Sequence, residues 1–336
     1  MQATPNKGLK TVLTDKYKLL NEYVLDIKKQ LACSAAATYI IHQDVVVNEF
    51  YSGSYEYEAD KKIVAAPTRF NVASVRKSYI GFAIALAVHQ QKIASIDDEI
   101  ADYLADLDTD IVRGTTIRHL LTHTHGLLNH QERRFPAGTG WHYNNVGIKM
   151  LSRLIHQVFD MSLAQVMMHT VFRPCHLMET GWTMNRDEHL VWLGEEYTFD
   201  SGDQANLFVS ARDLAFWGYL HLNKGLIQGK QIIPRNIFEQ TTTNQSPPVL
   251  DDRLPRNGYA WWIQDKPRAI SEIGSTLPSG TYQILGITGC ACLVIPDHKI
   301  VAVRMYNQAE PNPPGYNYLE DIRSFGDQVL ACSLRN

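Results

Sequence analysis

Strand-forming runs occupy both ends of this 336-residue chain, and mainly helical pattern fills the middle. Near the start, residues 38–42 and 45–51 are rich in β-branched and aromatic side chains. They join around His42-Gln43-Asp44 and read as a hairpin. Near the end, residues 259–264, 282–287, 290–295 and 299–306 are strand-like, and Pro296-Asp297-His298 turns the last two. Short links favour antiparallel pairing. A sheet drawn from both ends makes the middle of the chain an insertion. The expected architecture is α+β: an antiparallel sheet flanked by N- and C-terminal helices, with an inserted mainly helical lobe. The expected division is a discontinuous α/β lobe, 1–70 plus 255–336, and a helical lobe, 71–254. Functional groups would collect in the cleft between them.

The flanking helices are visible as periodicity. Leu19, Leu20, Tyr23, Val24, Ile27 and Leu31 recur at helical spacing over 15–32, and a second amphipathic stretch runs from Tyr318 to Cys332. Between the strand regions, helices are expected at 75–91, 98–105, 116–123, 144–159, 162–171, 210–224 and 234–243. Gly225-Leu226-Ile227-Gln228-Gly229-Lys230 lacks the spacing of a phosphate loop and reads as a turn between a helix and a short strand.

Composition narrows the function class. A formal charge of −3 with scattered basic residues leaves no Lys/Arg surplus for nucleic acid. The longest apolar run, Ile80 to Val88, is far short of the ~20 residues that span a bilayer, so no membrane span is expected. The first thirty residues lack the apolar stretch of a secretory signal, and five cysteines make an odd set. The reading is a cytoplasmic protein with reduced, buried thiols, in which a Cys33–Cys332 pairing and the oligomeric state stay open.

Three short patterns carry possible chemistry. Ser74-Val75-Arg76-Lys77 places a serine and a lysine one turn apart on one helix face. A serine hydroxyl needs a base within reach, and a desolvated lysine can be that base. The apolar run after Lys77 predicts a buried helix. With 16 serines and 15 lysines, about one such tetrad arises by chance, so the pattern gains weight only from company. Tyr143-Asn144-Asn145 adds a phenol that can relay protons and an amide, Asn145, that can orient a substrate or hold the lysine. Gly286-Ile287-Thr288-Gly289, between two strand-like runs, lets a substrate backbone come close. A backbone N–H there, at Cys290, could join that of Ser74 in an oxyanion hole. Each has a plainer reading: a helix start, a loop tyrosine with a capping asparagine, a β-turn. Trp141, Trp261 and Trp262 are candidates for lining the cleft.

In this order, S-x-x-K, Y-x-N and x-T-G resemble the serine β-lactamase and penicillin-binding-protein superfamily, in its class C-like branch of D-alanyl carboxypeptidases, D-aminopeptidases and lactamase-like esterases. Further blocks match in sequence order: Phe70 to Ala73 is similar to F-x-x-A-S, and Gln91 to Asp98 to G-K-L-x-L-D-D. Ile117 to Leu127 is similar to I-R-x-L-L-T-H-T-S-G-L, Phe172 to Thr180 to P-L-G-M-x-x-T, and Ala205 to Leu214 to A-N-L-x-S-T-A-R-D-L. The resemblance implies Ser74 as the acylated nucleophile, and Lys77 with Tyr143 as general base, Tyr143 also protonating the leaving group. It implies substrate binding by Asn145 and the third-motif residues Ile287, Thr288, Gly289 and Cys290, with hydrolysis by water and without metal or cofactor. The implied partner is a small-molecule ester, amide or β-lactam-like substrate.

One departure bears on substrate. Where the third motif usually begins with Lys or His, this chain has Ile287, which cannot pair with a carboxylate. The reading is an esterase or amide hydrolase for a neutral substrate, unless Arg268 or Arg304 supplies the cation. The alternatives are a penicillin-binding protein, D-Ala peptidase or weak β-lactamase, and a non-catalytic binder or sensor on the same fold. A metal hydrolase is suggested by His119, His123, His125 and His130. Leu127 and Leu128, however, stand where a His-x-His-x-Asp-His signature needs Asp and His.

Overall fold

A computed structural model describes residues 8–55, 62–183, 191–193 and 206–335. Ala35–His42 and Ile300–Tyr306 pair antiparallel over seven residues, from His42 opposite Ile300 to Ala36 opposite Tyr306. This pair joins the two ends of the chain at the centre of an eight-stranded sheet. On one side follow Val45–Gly53 and Lys10–Thr11. On the other come Ala291–Ile295, Tyr282–Leu285, Trp262–Ile263 and Arg256–Asn257. All neighbours are antiparallel except Lys10–Thr11, which runs parallel to Val45–Gly53.

Alternation along the central strands serves two cores. Ile40, Ile300, Ala302 and Tyr306 face a layer made by Lys18–Gln30 and Tyr318–Ser333, with Leu20, Val24, Phe325 and Val329. Tyr39, Ile41, Val301 and Val303 face the opposite way. There one continuous apolar core runs through Trp217 of Ala211–Leu222 to Ile80 and Phe82 of Lys77–His89 and Leu151 of Val146–Phe159. The insertion therefore shares a core with the sheet that carries it.

Two expected bounds shift. The inserted region is mainly helical, as expected, and also carries strands: Arg69–Asn71, Leu207–Ser210 and Thr180–Trp182 form a three-stranded sheet, and Leu226–Ile227 with Lys230–Gln231 a small hairpin. These strands run only two to four residues, too short for period-two alternation to show. The helix expected at 98–105 reduces to a single turn, Ile100–Asp102, because Ile100 N donates to Thr115 O and Glu99 bridges to Thr116. The strand expected at 259–264 shrinks to Trp262–Ile263 where Ala260 takes a positive φ of 64°.

Much of the family-like sequence is scaffold. Arg118 forks onto Asp97 at 2.6 and 2.9 Å, tying two of the quoted blocks together. Asp213 accepts from Glu179 N at 2.8 Å and from Thr180 Oγ1 at 2.9 Å, while Arg212 binds the Glu179 carboxylate, tying two more. Ala205 lies outside the described residues. The five cysteines are all buried and none is in a disulfide. No helix among the described residues is long and apolar enough to cross a membrane.

Candidate active site

The nucleophile candidate is delivered by a tight transition from strand to helix. Arg69–Asn71 pairs with Leu207–Ser210; a 3-10 turn, Ala73–Arg76, then leads into Lys77–His89. Ala73, directly before Ser74, has a φ of +46°, a left-handed conformation that costs a non-glycine residue about 1–3 kcal/mol. Asn71 holds it there, since its Oδ1 accepts from Ala73 N at 2.9 Å. The Asn71 amide also donates to Asn206 Oδ1 at 2.8 Å and to Val191 O at 3.1 Å.

The helix that follows is buried from Lys77 through Ala87, as its apolar run predicts. Lys77 is therefore 1 % exposed. Its amine donates to Ser74 Oγ at 2.9 Å and to the Tyr143 hydroxyl, and lies 4.0 Å from the Tyr143 ring centre. Burial pulls the Lys77 pKa well below the ordinary lysine range. Arg76 pushes the same way, and Glu272 opposes. Ser74, Lys77 and Tyr143 thus form one contact chain.

Tyr143 sits in a loop pinned from both sides. His142 N donates to His123 O at 2.9 Å, and Asn144 Nδ2 to Leu127 O at 2.7 Å. The His123 ring packs 4.5 Å from the Tyr143 ring. The histidine-rich segment therefore acts as a cradle for the phenol. His119 caps its own short helix, and His125 Nδ1 accepts from Leu127 N at 3.0 Å. Among the described residues no three His, Cys, Asp or Glu side chains converge as metal ligands. Asn145 stands at the N-cap position of the Val146–Phe159 helix without a side-chain cap; its Oδ1 is buried without a partner among the described residues.

The third-motif residues form a turn at the end of a strand pair. Tyr282–Leu285 ends earlier than expected, Gly289 N donates to Gly286 O at 2.9 Å, and Gly289 has a φ of +83°. Gly286 packs on the chain entering the nucleophile: a Cβ there would stand 2.2 Å from Val72 O. Ile287 is therefore a rim residue, 70 % exposed, rather than part of a strand. Thr288 and Cys290 turn away from the cavity. Thr288 Oγ1 donates to Asn71 O at 2.6 Å, and Cys290 Sγ lies 3.6 Å from the same oxygen.

These walls enclose a cavity of about 540 Å³ that Ser74, Lys77, Tyr143, Asn145, Ile287 and Gly289 all line. Trp141 and Trp262 line it too, whereas Trp261 is buried against His221 and Tyr282, away from the cavity. Arg304 reaches the wall, but its guanidinium forks onto Asp321 at 2.8 and 2.7 Å, and both side chains are buried. Arg268 is bound to Asp252 and Asp265 outside the cavity. Sequence reasoning missed Glu272, which lines the cavity from a polar loop without periodicity, and Tyr316 and Tyr318. Asn71 was legible only as part of a matching block.

The family model described as Beta-lactamase matches residues 21–325. An uncharacterized protein of Alkalihalophilus pseudofirmus is 43 % identical over 93 % of this chain and 96 % of its own length. Penicillin-binding protein 4* of Bacillus subtilis is 24 % identical over 39 % of this chain and 34 % of its own. Among solved structures, a candidate β-lactamase from Bacteroides dorei superposes with a TM-score of 0.76 at 14 % identity, covering 95 % of this chain and 99 % of that one. EstCE1, described as a hydrolase with promiscuous acyltransferase activity, superposes with a TM-score of 0.71 at 21 % identity, covering 93 % and 98 %. With a family model spanning nearly its whole length and an α+β fold shared with these structures, the chain belongs to the Beta-lactamase family.

Proposed function

We propose that the protein is a serine hydrolase that forms an acyl-enzyme on Ser74, acting on an ester or amide that presents no carboxylate to the cavity. The observation that supports this most is the Lys77 amine, buried and depressed in pKa, in contact with both Ser74 Oγ and the Tyr143 hydroxyl. Ser74 Oγ attacks the acyl carbon, and its proton passes to the Lys77–Tyr143 pair. The C–O or C–N bond breaks, and Tyr143 returns that proton to the leaving alcohol or amine. Water then attacks the acyl carbon, gives a proton to the same pair, and Ser74 leaves reprotonated. The backbone N–H groups of Ser74 and Cys290 take the oxyanion role, and Asn145 Oδ1 is an acceptor for a substrate N–H.

The substrate preference rests on what faces a carboxylate. It would meet the apolar Ile287, an Arg304 already committed to Asp321, and the Glu272 carboxyl; of the other basic groups that line the cavity, Lys77 is pulled toward its neutral amine and Arg76 is buried, with its guanidinium donating to Ala73 O. The Bacillus subtilis relative's name keeps a penicillin-binding reading in view. The burial of all five thiols is in keeping with a cytoplasmic placement.

The test is intact mass after incubation with a fluorophosphonate, a penicillin and a short-chain p-nitrophenyl ester, following nitrophenol release. The expected result is a fluorophosphonate adduct on Ser74 with repeated ester turnover. A lasting penicillin adduct without turnover would replace the hydrolase by a penicillin-binding or sensor protein. No adduct with any probe would overturn the assignment of Ser74.

A further inference from the structure

Glu272 belongs to none of the three motifs, yet the protein builds a loop to place it in the cavity. Arg323 donates to Ser271 O at 2.8 Å from Nε and 2.6 Å from Nη2, and to Ala269 O at 2.8 Å. Gln283 Nε2 donates to the carbonyl of Glu272 itself at 3.0 Å, and Gln264 Nε2 to Gly274 O at 2.8 Å. The backbone on both sides of the carboxyl is thus fixed before any substrate arrives. A half-buried carboxyl held this way is preorganised for a ligand group.

Its surroundings set the kind of group. Trp141 and Trp262 line the same cavity with ring centres 5.4 Å apart, and Trp262 stacks on Tyr143 at 6.3 Å. The Trp141 ring is fixed by its Nε1, which donates to Asn257 Oδ1 at 2.9 Å. Aromatic faces with a carboxylate suit an organic cation. The charged and titratable groups that act on Glu272 are Lys77, Arg323 and Tyr318; Arg76 and Arg304 line the same cavity, the first buried with its guanidinium on Ala73 O and the second forked onto Asp321. Lys77 is held toward the neutral amine, Arg323 is occupied with loop carbonyls, and Tyr318 hydrogen-bonds the carboxyl. Burial lifts the Glu272 pKa to about 7, so the group is an anion on the alkaline side of neutrality.

We propose that this side of the cavity takes an organic cation, so that the substrate's leaving group carries an ammonium held by Glu272 and the faces of Trp141 and Trp262. The leaving-group side is assigned because Trp262 stacks on Tyr143, the proton donor to that group. This substrate class rests on the serine hydrolase reading above. It leaves the rim at Ile287 for the uncharged acyl part.

Butyrylthiocholine and its uncharged carbon isostere, 3,3-dimethylbutyl thiobutyrate, test it by thiol release. At pH 8.5 the cationic ester should have a kcat/KM at least about tenfold higher. The preference should fall as pH drops through about 7, where Glu272 takes a proton. Glu272→Gln should bring the ratio to within about threefold of one. Equal kcat/KM values in the wild type, or a preference undiminished in Glu272→Gln, would overturn the proposal. Choline binding to Ser74→Ala protein, read by tryptophan fluorescence, reports on the cation site without chemistry. Choline binding that Glu272→Gln abolishes, with neither thioester turned over and no fluorophosphonate adduct, would keep the cation site and remove the hydrolase. Turnover of both thioesters at equal rates without choline binding would do the reverse.

Discussion

The two walls of the cavity are built by opposite means. The wall of Ser74, Lys77 and Tyr143 works through side chains: an amine at the start of a buried helix touches two hydroxyls, one from the turn before that helix and one from a loop. The wall of residues 286–290 works through backbone. Its polar side chain, Thr288, is spent on Asn71 O, Cys290 points the same way, and what the cavity meets is glycine and the exposed Ile287. Asn71 joins the two, accepting from Thr288 at its carbonyl and from Ala73 at its side chain. On the proposed function, reactivity belongs to the side-chain wall, and substrate choice to the backbone wall and the loops around it.

The side-chain wall should break completely at one atom. Ser74→Ala is expected to abolish acylation by fluorophosphonate while leaving the melting temperature near that of the wild type; intact mass and calorimetry check this. Retained labelling would move the nucleophile elsewhere. Lys77→Ala and Tyr143→Phe should each lower turnover at least ~10²-fold, the scale of a general acid–base group. Effects below tenfold in both would mean a different proton path. The pH profile of acylation reads the same wall. Burial lowers the Lys77 pKa, so a neutral amine that would accept the serine proton in the proposed mechanism persists well below the ordinary lysine range. Activity should hold across that range and fall as acid protonates the amine. A rise only near the ordinary lysine pKa would contradict the burial argument.

The joint between the walls carries the next largest effect. Asn71→Ala removes the acceptor of Ala73 N and the donor to Asn206, while Asn71 O still receives Thr288. Leaving buried polar groups unpaired costs about 1–3 kcal/mol of stability each. The left-handed Ala73 would lose its tether, and a misplaced nucleophile can cost up to ~10²-fold. Acylation is expected to slow by tens of fold with the pH profile unmoved, because Lys77 stays buried. A shifted profile would instead place Asn71 in control of the Lys77 environment.

The difference between the walls also explains what the sequence made legible. Side-chain chemistry leaves a residue-type signature at fixed spacing, so Ser74, Lys77 and Tyr143 could be picked out and are found in contact. The order of elements and the apolar helix after Lys77 were legible because periodicity records burial on a face. The three-stranded sheet through Leu207–Ser210 was not, since its strands are short and fully buried strands do not alternate. Glu272 was not, because its place depends on Arg323 and Gln283, residues distant in sequence that hold a loop without pattern. The strand end at Ile287 was misplaced by two residues, because Gly286 and Gly289 close a turn that begins before Ile287. The histidines of residues 119–130 suggested ligands by type; instead His119 caps a helix, His125 accepts from Leu127 N, and the His123 ring packs tilted against Tyr143.

That misplacement makes the smallest prediction the sharpest one about the backbone wall. Read as an inward strand residue, Ile287→Lys would bury a cation opposite a substrate carboxylate and raise β-lactam affinity strongly. At 70 % exposure the new ammonium would stay largely hydrated, and an exposed ion pair is worth only ~0.2–1 kcal/mol. Acylation by carboxylate-bearing penicillins should therefore rise no more than about fivefold, and 1 M salt should erase the gain, because exposed charges are screened at that strength. A salt-resistant increase of a hundredfold or more would mean that position 287 turns inward when a carboxylate is bound. The turn would then be as much a part of the reacting wall as Ser74, and the division between the two walls would fail.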